Sequence, residues 1–415
     1  MNGHPPLRTV NILKTNPLLH VVAWLFFLSI FVFPPVTVCQ ECPAVYGTDF
    51  LFPVLCLLLL SKLSQIRLPQ FRRMLITTSL LTGCVLLSMC ANGRMSVTTD
   101  WFEVYKLMKF GVAVLYVALF VELRQVEIIM KTVLVLVLVF NTLHYFDVFG
   151  FNSKVMPYYA QPEQLEGFGL NSLGMPDTRR LIGTSSNPNN NALLCLFLVV
   201  WFARKSYSRA DRFFFYASVL LVLGCQSRTG FAALVLVLVL IAVCMRQSLK
   251  AVLIDLAVYT GMYLLLLLGG NVYLSSLGNF GRISDSFREG RIAMWMKLLH
   301  MWKSRPLLGY GPSKEVFYRH HWYPEGEYIL MLWRYGIVGL IAYLAWILNP
   351  LTQAYAKFKT GNVMAFRLVA FTVVLLTGAV TNVPTLDFSL LMQFSMMFGL
   401  FLGLHGKIIK EEVYA

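Results

Sequence analysis

The chain has 415 residues, of which 57% are hydrophobic and only 13% are charged, and its formal net charge is +15 at pH 7. This composition lies outside the range of soluble domains, so the sequence predicts an all-α polytopic membrane protein. In such a protein the positive charge does not indicate nucleic-acid binding, because cytoplasmic loops are enriched in lysine and arginine.

About twelve apolar stretches approach the roughly 20 residues needed to cross a hydrocarbon core of about 30 Å. The first follows a tail carrying Arg8 and Lys14, as in a signal peptide. Because it is long and contains Pro34 and Pro35, we interpret it as a retained span. In chain order the stretches are 17–38, 45–62, 74–92, 103–122, 127–147, 189–203, 213–227, 229–245, 251–270, 326–348, 364–382 and 387–405.

The distribution of cations predicts the topology. With the N-terminus in the cytoplasm, every even-numbered connection is basic, so both termini are expected to be cytoplasmic. Solvation of a loop is enough to explain any single lysine on the outer side. Cations concentrated on the outer side in the second half of the chain, however, predict an anionic ligand. The cations on the outer side are Arg94, Lys154, Arg179, Arg180, Arg228, Arg282, Arg288, Arg291, Lys297, Lys303, Arg305, Lys314 and Arg319.

Two outer connections are long, 148–188 and 271–325, and both mix aromatic residues, glycine and charge as functional loops do. In the second, the periodicity from Arg291 to Ser304 predicts an amphipathic helix. It lies on the membrane surface or packs on the bundle, and both readings stay open. The predicted divisions are N-terminal helices (1–147), a central region with both loops (148–345) and C-terminal helices (346–415).

Cys39 and Cys42 form a C-x-x-C in the first outer loop. A local disulfide between these two cysteines is one alternative. A redox or metal role is not favoured, because the sequence places no partner histidine or further cysteine nearby.

Arg228 lies in an unusually short helical hairpin. Only 33 residues separate Arg212 from Arg246, whereas two full crossings need about 40. The turn around Arg228 should therefore lie at or slightly below the outer rim. An arginine at that depth typically faces a cavity and marks a substrate path, and a structural ion pair is the alternative.

A second polar element, "RRLIGTSSNPNNNA", precedes the sixth span. Asn187 ends a turn and Asn189 opens the following helix, so a helix N-terminus flanked by Arg179 and Arg180 predicts an anion site. Capping of the helix by asparagine is the alternative.

A third element, "YPEGEYILMLWRYG", opens the tenth span. Glu325 and Glu327 stand at its outer mouth and Arg334 lies about two turns in. A carboxylate beside arginines at the membrane rim can act as a general base. Two solvated glutamates at a helix start are the alternative.

Together these elements resemble the O-antigen polymerase and ligase superfamily of bacterial inner membranes, over roughly residues 175–345. The resemblance rests on "GTSSNPN" from Gly183, "SRTG" from Ser227, Arg291 and Trp295 followed by "PLLGYG" from Pro306, and "EYI" from Glu327 with "YGIVGL" from Tyr335.

The resemblance implies a membrane-embedded glycosyltransferase with a GT-C-like fold that acts at the periplasmic face on glycans linked to undecaprenyl diphosphate. Arg228 and Arg291 would hold the diphosphate, and Glu327 or Glu325 would assist the acceptor hydroxyl. No cofactor or metal is expected, because the chain has no D-x-D motif. A chain-length regulator and a flippase are candidate partners. The remaining candidates for substrate binding are Arg179, Arg180, Asn187, Asn189, Arg282 and Arg334.

One position separates the two activities of the superfamily. Ligases resemble one another in a histidine eleven positions before the glycine matched by Gly336, whereas this chain has Glu325 there and His320 and His321 are out of register. The sequence therefore favours a polymerase, with ligase as the alternative. A flippase, which needs a site near the membrane midplane, fits the outer cations less well, and a non-catalytic scaffold is a third possibility.

Overall fold

The computed structural model describes residues 17–36, 44–66, 69–171, 178–205, 207–245, 248–268, 287–320, 322 and 324–413. Within these residues the chain is all-helical, and the β-structure consists of an isolated bridge between Val36 and Val45. The predicted all-α class is confirmed. The predictions for Arg282 and for Cys39 and Cys42 lie outside the described residues.

Fourteen helices of the described residues position the site. They are α1 (Pro17–Phe31), α2 (Gly47–Leu60), α3 (Pro69–Ala91), α4 (Trp101–Phe120), α5 (Leu123–Phe146), α6 (Pro188–Phe202), α7 (Arg209–Gly224), α8 (Arg228–Cys244), α9 (Leu249–Leu268), α10 (Ala293–Trp302), α11 (Lys314–His320), α12 (Glu327–Lys359), α13 (Val363–Thr381) and α14 (Phe388–Val413). Shorter helical segments occupy Leu63–Ile66, Thr98–Asp100, Val148–Gly150, Phe151–Lys154, Met156–Tyr158, Pro162–Gln164, Leu165–Leu170, Gly183–Ser185 and Phe287–Ile292.

The helices are those of a membrane protein. Each of the predicted apolar stretches coincides with one of these helices. Among the described residues, five helices (α3, α5, α9, α12 and α13) are long and apolar enough to cross a membrane by themselves, and several shorter ones are strongly apolar. The count of twelve spans and the GT-C-like fold stay predictions.

The connections predicted to lie outside meet at one end of the bundle, here called the site end. Thr184, in the 148–188 connection, donates a hydrogen bond of 2.8 Å to the carbonyl of Phe31 at the end of α1. Ser88, near the end of α3, donates a hydrogen bond of 2.5 Å to the carbonyl of Leu308. Of the described residues, 92–100, 147–171, 178–187, 225–227, 303–320, 322, 324–326 and 382–387 form the site end.

Helix α6 is the central helix of the bundle. Its residues from Asn191 to Phe202 are all buried, and it packs against α7, α8 and α13. A helix that is apolar all round is stable only when it is surrounded by others. The element that opens this helix, from Arg179 to Asn191, is thereby fixed at the middle of the site end.

A second, smaller core lies beside the bundle. Leu298 of α10, Phe317 of α11, and Leu330 and Trp333 of α12 are buried together. The predicted amphipathic helix therefore packs on the bundle, with Met296 on its exposed face.

Helix α12 is broken at Gly336, whose φ of 65° and ψ of −168° interrupt the helix. The 306–311 segment fills the break: Ile337 donates a backbone hydrogen bond of 2.9 Å to Pro306, and Gly311 donates one of 2.8 Å to Arg334. Backbone groups freed within an apolar helix are costly unless neighbouring chain satisfies them. A Cβ at Gly336 would lie 2.1 Å from the carbonyl oxygen of Leu307, so this approach requires glycine.

Candidate functional site

Arg228 is the first residue of α8, directly after its N-cap. The hydroxyl of Ser227 accepts a hydrogen bond of 3.1 Å from the backbone N–H of Gly230 and so caps the helix. Arg228 is half-buried, and its Nε atom is buried with no hydrogen-bond partner among the described residues. No carboxylate of the described part of the chain pairs with it, so the structural ion pair considered from the sequence is not formed there. Its guanidinium retains donors for an anion.

The N-termini of α6 and α8 lie side by side. Ser227 donates a hydrogen bond of 2.8 Å to the amide oxygen of Asn189, and Asn187 caps α6 by accepting one of 2.8 Å from the backbone N–H of Asn189. A Cβ at Gly230 would lie 2.5 Å from the Cβ of Ala192, so the two helices are in close contact. Two neighbouring N-termini add partial positive charge beside Arg228. The side chain of Asn187 thus accepts a hydrogen bond from the backbone, and that of Asn189 accepts one from Ser227. Contacts of the two asparagines with substrate stay predictions.

Arg180 is buried and contacts the turn that carries Arg228. Its Nε and Nη2 atoms donate hydrogen bonds of 3.2 Å each to the carbonyls of Cys225 and Gln226. Gln226, which has a positive φ of 50°, donates in turn to the carbonyl of Arg179 over 2.9 Å. Arg180 therefore holds the turn in place. A direct contact of Arg180 with substrate stays a prediction.

Arg179 is half-buried beside the same turn. Its Nη1 atom donates a hydrogen bond of 2.6 Å to the carbonyl of Tyr145 near the end of α5. This contact orients the side chain at the site end, and binding of substrate by Arg179 stays a prediction.

The two glutamates at the mouth of α12 have different environments. Glu327 is fully buried, and its carboxylate accepts hydrogen bonds from the hydroxyl and the backbone N–H of Thr385. It therefore fixes the 382–387 connection. Glu325 forms an ion pair with Arg291, and the side chains of the two are 42% and 28% exposed. Of these two acids, Glu325 is the one open to a substrate.

The backbone of Glu325 is also held. Its carbonyl accepts a hydrogen bond of 2.5 Å from the indole N–H of Trp295 on α10. Gly326 follows with a φ of 146°, and a Cβ there would lie 2.8 Å from the Nε1 atom of that indole. The tryptophan and the glycine thus place Glu325 against Arg291.

Hydrogen bonds join these elements across the site end. Asn190 of α6 donates a hydrogen bond of 2.8 Å to the carboxylate of Asp387, at the start of α14. Thr229 of α8 is hydrogen-bonded to Thr381 at the end of α13. The turn of Arg228 is therefore linked through α6 and the 382–387 connection to the first residue of α12.

The sequence reasoning missed a buried charge cluster centred on Glu103, in the first turn of α4. Lys106, Lys314 and Arg334 lie 2.9, 3.1 and 3.7 Å from its carboxylate. Arg334, predicted to bind substrate, is thus paired with protein. The available signal was three charged residues, Glu103, Lys106 and Lys109, near the start of the predicted span 103–122. Ionisable groups within a membrane helix commonly mark a site.

A second ion pair holds α11 to the bundle. Arg94 donates hydrogen bonds of 2.5 and 2.7 Å to the two carboxylate oxygens of Glu315, and it also contacts Asp100. Burial is the largest single influence and would raise the pKa of Glu315. The hydrogen bonds from Arg94, a backbone hydrogen bond and the charges of Arg94 and Arg319 together outweigh it and hold the pKa below its ordinary value of 4.5. The 303–326 segment is therefore fixed at the site end by charge as well as by its backbone.

The described residues contain no group of three or more histidine, cysteine, aspartate or glutamate side chains arranged to hold a metal ion.

The fold and the site define a helical membrane protein whose arginines, carboxylates and helix N-termini gather at one end of the bundle. Residues 213–344 match the family model described as O-antigen ligase, which confirms the resemblance of this segment to the O-antigen polymerase and ligase superfamily. Members of that family are glycosyltransferase-like enzymes. A search of curated proteins finds no match. The matched segment includes Arg228, Arg291 and Glu325, whereas Arg180 and Glu103 lie outside it.

Proposed function

We propose that this protein is a polysaccharide polymerase of the bacterial inner membrane. It transfers a growing glycan from undecaprenyl diphosphate to the non-reducing end of another lipid-linked repeat unit, at the periplasmic face. The proposal places the site end in the periplasm and both termini in the cytoplasm. The product would be an O-antigen, a capsule or an exopolysaccharide.

The observation that carries the proposal is the state of Arg228. Its Nε atom is removed from solvent without a hydrogen-bond partner among the described residues, at the N-terminus of α8 and beside that of α6. A buried hydrogen-bond donor without a partner costs free energy, so the state of Arg228 favours a ligand that accepts a hydrogen bond from it. Phosphate oxygens suit a planar guanidinium fork and a helix N-terminus equally well.

In the proposed reaction, Arg228 stabilises the negative charge that develops on the diphosphate as the bond between it and the anomeric carbon breaks. An acceptor hydroxyl attacks that carbon and forms the new glycosidic bond. Glu325 accepts the hydroxyl proton, and Arg291 orients the carboxylate through their ion pair. Glu327, which is fully buried, supports the site through Thr385.

Two features bear on the choice between polymerase and ligase. Glu325 occupies the position where the resembling ligases carry histidine, which supports a polymerase. The description of the matching family, O-antigen ligase, supports transfer of the polymer to a lipid A core as the second candidate. The two activities differ in the acceptor and share the lipid-diphosphate donor.

Purified protein incubated with a defined lipid-linked repeat unit tests the proposal. A polymerase yields a ladder of longer lipid-linked glycans from the repeat unit alone, whereas a ligase yields product when lipid A core is supplied as acceptor. The variant Arg228→Ala should be inactive. Arg209→Ala, at the first residue of α7 and exposed, is the matched control and should retain activity. Absence of product with either acceptor would contradict the proposal.

A deletion strain separates the polymerase from a transporter. Loss of a polymerase leaves single repeat units exported and displayed, whereas loss of a flippase traps them inside the cell. Trapped units would favour the transporter.

A further inference from the structure

Helix α9 packs against the bundle less than any other long apolar helix of the described chain. It is apolar enough to cross a membrane, yet none of its residues is buried. Its described polar contact is a hydrogen bond of 2.6 Å from the hydroxyl of Tyr216 on α7 to the carboxylate of Asp255. The rings of Tyr216 and Tyr259 also meet edge to face, with centroids 6.1 Å apart. Tyr259, Met262 and Leu266 pack against the core, and most of the remaining surface of α9 is open to lipid.

Two adjacent cavities open at this place, at the end of the bundle opposite the site end. One has a volume of about 290 Å³ and lies between the ends of α8 and α12 and the start of α13. The other has a volume of about 340 Å³ and lies between α7 and α9. They share Lys205 and Met245 in their walls. A water molecule takes about 30 Å³ in the liquid, so each cavity has room for a group much larger than a single water.

The walls of both cavities are amphipathic and carry more cations than acids. Lys205 and Lys359 line the first together with Phe358 and Phe366, and none of the described residues in its wall carries a carboxylate. Lys205 and Arg212 line the second, where Asp255 already accepts the hydrogen bond from Tyr216. Lys205, Lys359 and Arg212 are exposed, and none of them forms an ion pair with the described residues.

We infer that these cavities are a binding site for anionic phospholipids of the bilayer. The phosphate lies against Lys205 and its neighbouring cations, and the acyl chains fill the gap between α9 and the bundle. Basic pockets between membrane helices bind anionic head groups for the same reason. A zwitterionic head group fits less well, because its ammonium would meet lysines. The inference goes beyond the proposed function and does not depend on it.

Native mass spectrometry of the purified full-length protein in detergent tests the site. The probes are phosphatidylglycerol, phosphatidylethanolamine with the same acyl chains, and inorganic phosphate. Phosphatidylglycerol should bind and raise the melting temperature, and Lys205→Ala should weaken its binding about fivefold. Lys205→Arg, which keeps the positive charge, should bind phosphatidylglycerol as the unchanged protein does. The matched control is Arg72→Ala, an exposed arginine on α3 that lines neither cavity, and it should bind as the unchanged protein does.

Three outcomes would overturn the assignment. Equal binding of the two phospholipids would remove the role of the cations. Equal weakening by Arg72→Ala and Lys205→Ala would indicate general attraction to a basic surface. Displacement of phosphatidylglycerol by an equal concentration of inorganic phosphate would show that the ligand is a soluble anion. If Lys205→Ala fails to fold, the comparison of Lys205→Arg with Lys205→Gln decides the same question.

Discussion

Ser227 donates its hydroxyl to the amide oxygen of Asn189 over 2.8 Å and so joins the N-termini of α8 and α6. One residue later, Arg228 begins α8 with its Nε atom buried and without a partner among the described residues. Arg180 fixes the same turn from the other side by donating to the carbonyls of Cys225 and Gln226. The position of Arg228 is thus set by neighbours that do not neutralise its charge.

The first prediction concerns Arg228. Arg228→Ala should reduce glycan transfer by about 10²–10³-fold, the usual effect of removing a donor that stabilises charge in the transition state. Arg228→Lys should retain part of the activity, because lysine keeps the charge but not the planar fork. Product formation is measured with lipid-linked substrate, and the amount of membrane-inserted protein is measured in parallel. Activity of Arg228→Ala equal to that of Arg209→Ala would contradict the assignment.

The second prediction concerns the charge cluster on α4. Glu103→Gln leaves Lys106, Lys314 and Arg334 facing one another without their carboxylate. Removing one partner from a buried ionic cluster costs about 3 kcal/mol or more, so the melting temperature in detergent should fall clearly. Glu122→Gln, an exposed glutamate between α4 and α5, is the control and should leave it unchanged. Equal melting temperatures for the two variants would show that the cluster does not stabilise the fold.

The third prediction concerns the break in α12. At Gly336 an added Cβ meets the carbonyl of Leu307 at 2.1 Å, and the positive φ is unfavourable for alanine. Gly336→Ala should therefore destabilise the protein by about 1–3 kcal/mol or more. Gly261→Ala on α9, where a Cβ meets nothing within 4 Å, should be neutral or slightly stabilising. Thermal unfolding of both variants measures the difference, and comparable stability would mean that the 306–311 segment shifts at little cost.

Much of the fold could be predicted because it depends on local pattern. Apolar stretches of spanning length located the long helices, and the short hairpin around Arg228 placed that residue at the tip of two helices. Capping of α6 by Asn187 could also be predicted from residue type, where it was the alternative to an anion site. These features are determined by neighbours along the chain.

What could not be predicted depends on residues far apart in sequence. Glu103 gives no sign that Lys314 and Arg334 are its partners, because the pairing exists only once α4, α11 and α12 pack together. In the same way, nothing in the sequence around Gly336 shows that the 306–311 segment enters a broken helix there. The motif "PLLGYG" is the segment that hydrogen-bonds to the backbone at this break.

The fourth prediction separates a chemical role of Glu325 from a structural one. Glu325→Gln should lower glycan transfer strongly while the protein remains folded, because the amide cannot accept the proton from the acceptor. The exchange Arg291→Glu with Glu325→Arg restores an ion pair and should restore stability but not activity. Both readouts are measured on the single and double variants. Recovery of activity in the double variant would reduce the pair to a structural contact.

The fifth prediction is a pH dependence of stability from the ion pair between Arg94 and Glu315. The pKa of Glu315 is lowered in the folded protein, so its carboxylate stabilises the fold at pH values above the ordinary 4.5. This stabilisation is lost as the pH falls from 4.5 through the lowered pKa, because the unfolded chain binds a proton at Glu315 before the folded protein does. Below the lowered pKa the carboxylate is protonated in both states and the ion pair is gone. Glu315→Gln should therefore have a lower melting temperature than the unchanged protein at about pH 6, and the gap should close toward about pH 3. Glu163→Gln, an exposed glutamate of the 148–188 connection, should show no such gap. A gap that stays constant over this range would assign the effect of Glu315 to packing rather than to its charge.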